Sequence, residues 1–82
     1  MANELKEDLK KGKPIYGTEN TVKKIKLGKM KKIYVSSNCK DKQTLMLYAR
    51  QFGVEVVELE ENNAQLGVIC KRPHLISVLG FQ

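Results

Sequence analysis

The sequence predicts an α/β domain in which helices cover both faces of a small four-stranded sheet. Its 82 residues suffice for one hydrophobic core, so a single domain over residues 1–82 is expected. Hydrophobic residues make up 41% of the chain and charged residues 29%, a balance typical of a globular protein rather than a disordered one. Helical and extended patterns alternate along the whole chain, which is typical of layered α/β domains but leaves the strand order open.

The first helix is predicted over residues 3–11, where Leu5 and Leu9 are four residues apart and charged side chains occupy the other face. Gly12 is a typical helix end. Because Pro14 cannot continue a helix, the short segment that follows is predicted to be extended.

The second helix is predicted to begin at Gly17-Thr18, with the Thr18 hydroxyl as its N-terminal cap. Thr18, Val22 and Ile25 are assigned to its inner face. The helix is predicted to end near Leu27, because Gly28 is a typical stop.

Residues 31–36 are predicted to form a strand. Ile33 and Val35 point to one face, and Tyr34 makes the other face apolar as well. A strand that is apolar on both faces is typical of the centre of a sheet that is covered on both sides.

The third helix carries the clearest periodicity in the chain. Asp41 is a candidate cap, and Gly53 a candidate end. The apolar stripe has the spacing i, i+3, i+4, i+7 and consists of Leu45, Tyr48, Ala49 and Phe52.

The remaining elements are a valine-rich strand, a short helix and a final strand. The strand is predicted over residues 54–59. Asn62 and Gln65 have the spacing of a capping box, and the inner face of the helix that they begin is assigned to Leu66, Ile69 and Cys70. Pro73 ends this helix, and the apolar run 75–81 is predicted to be the last strand.

The charge distribution is uneven. The net charge is +6, and residues 10–32 contain nine lysines but only one acid, Glu19. A segregated basic region is suited to a phosphate backbone, so nucleic-acid binding is favoured over lysines that merely promote solubility. An anionic membrane surface is a weaker alternative, because no helix combines a basic face with a large apolar one. No apolar run is long enough to span a membrane, and a cytoplasmic location is expected.

Catalysis is not favoured by the sequence. Cys39 and Cys70 are expected to be free thiols, and two cysteines with His74 do not make the usual four-ligand zinc site. Neither Cys39 nor His74 has an obvious catalytic partner. The four acids in residues 55–61 are typical of a solvated strand edge, and no glycine-rich phosphate loop is present. No metal or cofactor is expected.

The start of the second helix is the best candidate site. The segment Gly17-Thr18-Glu19-Asn20 offers backbone N–H groups at the positive end of a helix dipole. Asn20 and Lys23 share a helix face, and their side chains can contact base edges or phosphates. The alternative is an ordinary capped helix whose lysines face water.

The segment GTENTVKKIKLGKMKKIYVSSNC resembles the superfamily of kink-turn-binding ribosomal proteins. LYARQFGVEVVE and QLGVICKRPHLISVLGF extend the resemblance to nearly the whole chain. It is strongest to the branch that contains the archaeal and eukaryotic large-subunit ribosomal protein numbered thirty. The resemblance implies a three-layer α-β-α sandwich with a small four-stranded mixed sheet.

The resemblance also implies that a kink-turn, a sharply bent RNA with sheared G·A pairs beside a bulge, is the ligand. The residues that it implies at the RNA interface lie in two groups. The first is the start of the second helix, with Gly17, Thr18, Glu19, Asn20 and Lys23, and the second is the loop after the fourth helix, Cys70-Lys71-Arg72-Pro73-His74. Lys24 and Lys26, in the basic segment beside the first group, are predicted to bind RNA as well. Glu19 stands where the family commonly has asparagine or lysine, and Lys71 where glycine is usual.

The expected role is therefore that of a non-catalytic RNA-binding protein of the large ribosomal subunit, monomeric when free and adjacent to other ribosomal proteins. One alternative is a kink-turn-binding paralogue outside the ribosome. Another is a protein-interaction module within a ribonucleoprotein particle, which would use the acidic strand edge and the basic face. An enzyme that acts through Cys39 or His74 ranks last.

Overall fold

A computed structural model describes residues 3–82 and contains eight elements in the predicted order. The four helices and four strands, in chain order, are α1 (Asn3–Lys11), β1 (Ile15–Tyr16), α2 (Thr18–Lys26), β2 (Lys32–Val35), α3 (Lys42–Phe52), β3 (Glu55–Glu58), α4 (Asn63–Ile69) and β4 (Val78–Phe81).

The strands form one mixed sheet in the order β1-β4-β2-β3. β4 is antiparallel to both β1 and β2, whereas β2 and β3 are parallel. Ile33, Tyr34 and Val35 on β2 are completely buried. The central position predicted for this strand from its two apolar faces is therefore confirmed.

The helices lie in two layers, one on each face of the sheet. On one face, Ile25 of α2 and Leu45 of α3 pack in a cluster with Ile33 of β2. On the other face, Leu5 of α1 and Leu66 of α4 pack around Tyr34. This is the three-layer α-β-α sandwich that the sequence resemblance implied.

The predicted start of α2 is wrong by one residue. Gly17, not Thr18, is the N-cap, and no side chain caps the helix. Thr18 is instead the first helical residue. Thr21 and Ile25 are fully buried, while Thr18 and Val22 are only half-buried.

The other helix ends agree better with the sequence. Asn62 and Gln65 form the predicted capping box, with two hydrogen bonds of 2.9 Å. Gly53 ends α3 in the left-handed conformation, with φ of 69°. Asp41 occupies the N-cap position of α3, but its side chain makes no capping hydrogen bond. Phe52, assigned to the inner stripe, is 47% exposed because it lies on the last helical turn, where the chain departs towards β3.

A polar cluster joins α1 to β2. The Tyr34 hydroxyl donates a hydrogen bond to the Asp8 carboxylate, and the Lys32 ammonium lies 3.3 Å from the same carboxylate. The hydrogen bond from Tyr34 is the largest cause that holds the pKa of Asp8 below its usual value. Burial is the main cause that raises the pKa of Tyr34 to about 12, so the hydroxyl remains a donor at neutral pH.

We expect Asp8→Asn to lower the free energy of unfolding by about 1 kcal/mol at pH 7, because it removes a charged acceptor from a buried phenol. The folded-state pKa of Asp8 lies below the unfolded value of 3.8, so this stabilisation is present above pH 3.8 and is lost as the pH falls through the folded-state pKa. Urea unfolding at pH 7 and near pH 2 measures the free energy of unfolding of the variant and of wild type. The difference between the two proteins should be smaller near pH 2. Glu7→Gln, an exposed neighbour on α1, is the matched control, and equal behaviour of the two variants would contradict the account.

Candidate nucleic-acid interface

A cleft of about 410 Å³ lies between the start of α2 and the loop that joins α4 to β4. Its position follows from the sheet. β1 pairs antiparallel with β4, Tyr16 opposite Leu79, so the residues after β1 and those before β4 meet at one end of the sheet. Tyr16, Gly17 and Thr18 line one wall, and the opposite wall is built from Arg72, His74, Leu75, Ile76, Ser77 and Val78.

The start of α2 presents free backbone donors to this cleft. Gly17 has φ of 94° and ψ of 146°, and its own N–H donates to the Val78 carbonyl at 3.3 Å. Its carbonyl accepts from the Thr21 N–H at 3.0 Å. The N–H groups of the first turn have no partner within the helix, and no side chain caps them. An anion can therefore bind them at the positive end of the helix dipole.

The loop after α4 is anchored by a Schellman motif. The Arg72 N–H donates to the Gly67 carbonyl at 2.8 Å, and the Lys71 N–H donates to the Val68 carbonyl at 3.0 Å. Lys71 has φ of 57°, the left-handed conformation that this motif requires. The sequence resemblance implies that glycine is usual at this position. The left-handed conformation explains that preference, because glycine adopts it without strain.

Arg72 connects the two walls of the cleft. Its guanidinium carbon lies 4.5 Å from the centroid of the Tyr16 ring, within the range of a cation–π contact. Arg72 is nevertheless an exposed residue. Burial raises the pKa of Tyr16, which keeps its hydroxyl protonated.

The structure brings together some of the predicted site residues and separates others. Gly17, Thr18, Arg72 and His74 line the cleft. Pro73 is exposed between the latter two but does not line it. Lys71 lies on the other side of the loop, in a second groove.

The predicted residues farther along α2 lie beside the cleft. Glu19, Lys23 and Lys26 border a shallow depression between α2 and α3 that shares Thr18 with the cleft. The Lys26 ammonium lies 4.9 Å from the centroid of the Tyr48 ring.

The last two predicted residues of α2 are Asn20 and Lys24, and neither lines the cleft. The Asn20 amide donates to the Tyr16 carbonyl at 3.3 Å, which leaves its oxygen free to accept. Lys24 is half-buried.

Five residues that line the cleft were missed from the sequence, namely Tyr16 and the run from Leu75 to Val78. Leu75 is 68% exposed although it begins the most apolar run of the chain. That run predicted a strand from residue 75, but β4 begins only at Val78, so residues 75–77 form the cleft wall instead. Tyr16 was assigned only to a short extended segment, and no local pattern indicated its contact with Arg72.

Neither cysteine lines the cleft. Burial raises the pKa of Cys70, so this thiol is protonated at neutral pH, whereas the thiolate is the reactive form. Cys39 is buried in the cluster between the sheet and the α2–α3 layer, whereas His74 is exposed. Among residues 3–82, no three His, Cys, Asp or Glu side chains converge on a metal position. None of the helices in this part of the chain is long and apolar enough to cross a membrane.

We expect Lys71→Gly to raise the free energy of unfolding by about 1 kcal/mol, because glycine adopts the left-handed conformation without a Cβ clash. Lys71→Ala is the matched control, since it removes the same charge but keeps the Cβ. Urea unfolding of the three proteins measures the difference. Equal stability of the glycine and alanine variants would mean that the backbone conformation at this position is not strained.

The chain matches known proteins over its full length. Residues 1–82 match the model of the Ribosomal protein L7Ae/L30e/S12e/Gadd45 family. The chain is 38% identical over 80 residues to large ribosomal subunit protein eL30 of Saccharolobus solfataricus, which covers 95% of this chain and 74% of the relative. The protein of the same name from Sulfolobus acidocaldarius is 34% identical over 80 residues, which covers 95% of this chain and 77% of the relative.

Solved structures share the fold. A protein of unknown function from Bacillus halodurans superposes with a TM-score of 0.76 at 20% identity, over 93% of this chain and 75% of the other. A 15.5 kD RNA-binding protein of Giardia lamblia superposes with a TM-score of 0.73 at 18% identity, over 83% of this chain and 58% of the other. The full-length family match and the archaeal relatives establish that this chain belongs to the Ribosomal protein L7Ae/L30e/S12e/Gadd45 family.

Proposed function

We propose that this protein binds a kink-turn or a similarly bent, bulged RNA and acts as a structural component of the large ribosomal subunit. The observation that carries the proposal is the cleft in which an uncapped helix start faces a cationic and apolar loop. The names of the archaeal relatives, all large ribosomal subunit proteins, support the same role. The ribosome implies a cytoplasmic location, with RNA and neighbouring ribosomal proteins as partners.

The geometry of RNA explains why the ligand should be bent. The major groove of a regular A-form helix is too narrow for side chains to read, whereas bulges and bends expose phosphates and unstacked bases together. The free N–H groups after Gly17 suit a phosphate of the bent backbone. Arg72 can bind a second phosphate, and Leu75 with Pro73 can pack against an unstacked base.

The outer residues of α2 extend this surface. Lys23 is exposed one turn beyond the helix start and can reach a phosphate or a base acceptor. The free oxygen of Asn20 can accept from a base amino group. Because the proposed role is to hold RNA in position, it requires no catalytic residue.

Titration with two hairpins of equal length tests the proposal. One contains a kink-turn, and in the other Watson–Crick pairs replace the sheared G·A pairs. Contacts that need the bend are partly non-ionic, so preference for the kink-turn should persist between about 0.05 M and about 0.2 M salt. Parallel, equal binding of both hairpins would mean that the protein is only a nonspecific polycation.

We expect Lys23→Ala to weaken binding of the kink-turn hairpin by about 1 kcal/mol. The slope of the logarithm of the binding constant against the logarithm of the salt concentration, here called the salt slope, should fall in magnitude by about one, as loss of one phosphate contact requires. Lys31→Ala is the matched control, because Lys31 is exposed and its N–H donates to the Phe81 carbonyl, at the end of β4 that is remote from the cleft. Lys42 is less suitable, since its ammonium lies 3.1 Å from the Glu58 carboxylate. Equal losses in both variants would indicate diffuse attraction.

Crosslinking of RNA in cells distinguishes the ribosomal role from that of a paralogue elsewhere. Recovery of one ribosomal RNA position supports the role proposed above. Recovery of guide or messenger RNA instead would retain the RNA site but contradict the assignment to the large subunit.

A further inference from the structure

A second and larger groove lies on the α1–α4 face of the protein. Its volume is about 560 Å³, within the range of cavities that bind small groups such as a nucleotide. Its border is strongly basic and consists of Lys6, Lys10, Lys13 and Lys71. All four are exposed, and within residues 3–82 none of their ammonium groups forms a salt bridge with a carboxylate.

The floor of this basic groove is apolar. Leu9, Pro14 and Ile69 line it and are half-buried. Leu9 and Ile69 also pack against the core cluster beneath the groove, so the floor rests on rigid structure. An apolar floor within a cationic border suits a ligand that combines negative charge with a flat apolar surface. An unstacked nucleotide has this combination, whereas a paired RNA stem presents only its charged exterior.

The basic groove adjoins the cleft. Tyr16 lines both cavities. Lys71 borders the groove, and the next residue, Arg72, borders the cleft. The stacked pair of Arg72 and Tyr16 forms the partition between them. An RNA strand that leaves the cleft past this partition therefore enters the groove directly.

We infer that the basic groove binds an unpaired segment of the same RNA that the cleft holds. This inference rests on the proposed function. The four lysines bind the phosphates of the segment, and one unstacked base packs on the apolar floor. The arrangement has the two features of single-strand recognition, a positively charged path and an apolar or aromatic platform for the base. The position of the groove next to the cleft favours this occupant over an acidic protein segment of similar charge.

The test compares a kink-turn hairpin that ends bluntly with the same hairpin carrying about six unpaired nucleotides at its 5′ or its 3′ end. In wild type, one of the two extensions should tighten binding about tenfold, which corresponds to stacking of one base. The triple variant Lys6→Ala, Lys10→Ala, Lys13→Ala should lose this gain while its affinity for the blunt hairpin changes by less than about twofold. Loss of three single-strand contacts should also lower the salt slope for the extended RNA by about 2.

The matched control is the triple variant Lys29→Ala, Lys31→Ala, Lys40→Ala, which removes the same charge from exposed positions outside the groove. It should keep the gain from the extension. Thermal unfolding of both triple variants should resemble that of wild type, because all six lysines are exposed.

Three outcomes overturn the inference. If neither extension tightens binding, or if both triple variants lose the gain equally, the groove has no specific role in binding RNA. If an oligoglutamate peptide displaces the extension from wild type at low micromolar concentration, the groove is a protein site. These failures leave the preference for the kink-turn intact, whereas failure of the proposed function removes that preference itself.

Discussion

Replacement of Gly67 by alanine is expected to lower the free energy of unfolding by about 2 kcal/mol, although alanine is intrinsically the better helix former. A Cβ at this buried position in α4 would lie 2.4 Å from the carbonyl oxygen of His74. This oxygen belongs to the backbone and cannot rotate away from the new Cβ as the end of a flexible side chain could. The loop from Arg72 to His74 must therefore move. The same displacement separates Arg72 from Tyr16, and we expect binding of the kink-turn hairpin to weaken about tenfold, or about 1.4 kcal/mol.

Two controls isolate the effect of this close approach. Gly12→Ala is a glycine-to-alanine change at the end of α1, where the new Cβ would lie 4.0 Å from its nearest neighbour, the Phe81 ring. Val68→Ala changes the adjacent residue of α4, whose side chain is 77% exposed. Urea unfolding should show that each control differs from wild type by less than about 0.5 kcal/mol. A stable Gly67→Ala variant with normal RNA affinity would contradict the described packing of the loop on α4.

Replacement of Gly17 by alanine is expected to weaken RNA binding about 30-fold, or about 2 kcal/mol. The φ of 94° at Gly17 lies in a region that residues with a Cβ rarely adopt, and the strain costs about 1–3 kcal/mol. Relief of that strain rotates the first turn of α2, so its N–H groups no longer point into the cleft. Calorimetric titration under conditions in which the variant is fully folded measures the loss of affinity.

Gly53→Ala is the matched control for backbone strain. Gly53 has φ of 69° and ends α3, which contributes no residue to the cleft. It should cost about 1 kcal/mol of stability and leave RNA affinity unchanged. Equal losses of affinity in the Gly17 and Gly53 variants would mean that general destabilisation, and not the orientation of the helix start, reduces binding.

The elements of the fold were predictable because each of them is encoded locally. The stripe that contains Leu45 and Ala49 specifies α3, and the capping box of Asn62 specifies the start of α4. The strand order was not predictable from spacing, because the pairing of Ile15 with Gly80 joins opposite ends of the chain. The sequence resemblance supplied the class of architecture, a sandwich with a mixed sheet, but not this register.

The candidate site was predictable only in part for the same reason. Gly17 and Arg72 were identified, one from a helix-start pattern and the other from the resemblance, and the β1–β4 pairing brings their segments together. Leu75 was missed because an apolar run by itself does not show where a strand begins. Thr18 was misassigned as the cap of α2. Gly17 follows β1 directly and is itself the cap, so no separate capping residue stands between the strand and the helix.

On the proposed function, RNA occupies the cleft between the start of α2 and the loop after α4. Amide chemical shifts of the ¹⁵N-labelled protein, followed during titration with the kink-turn hairpin at about 0.2 M salt, test it most directly, because salt suppresses nonspecific attraction. Large shifts are expected at residues 17–20, 72 and 74–77, with none at Glu55–Glu58 on the opposite edge of the sheet. Shifts spread evenly over the lysine-bearing surface, or confined to β3 and its flanks, would contradict it.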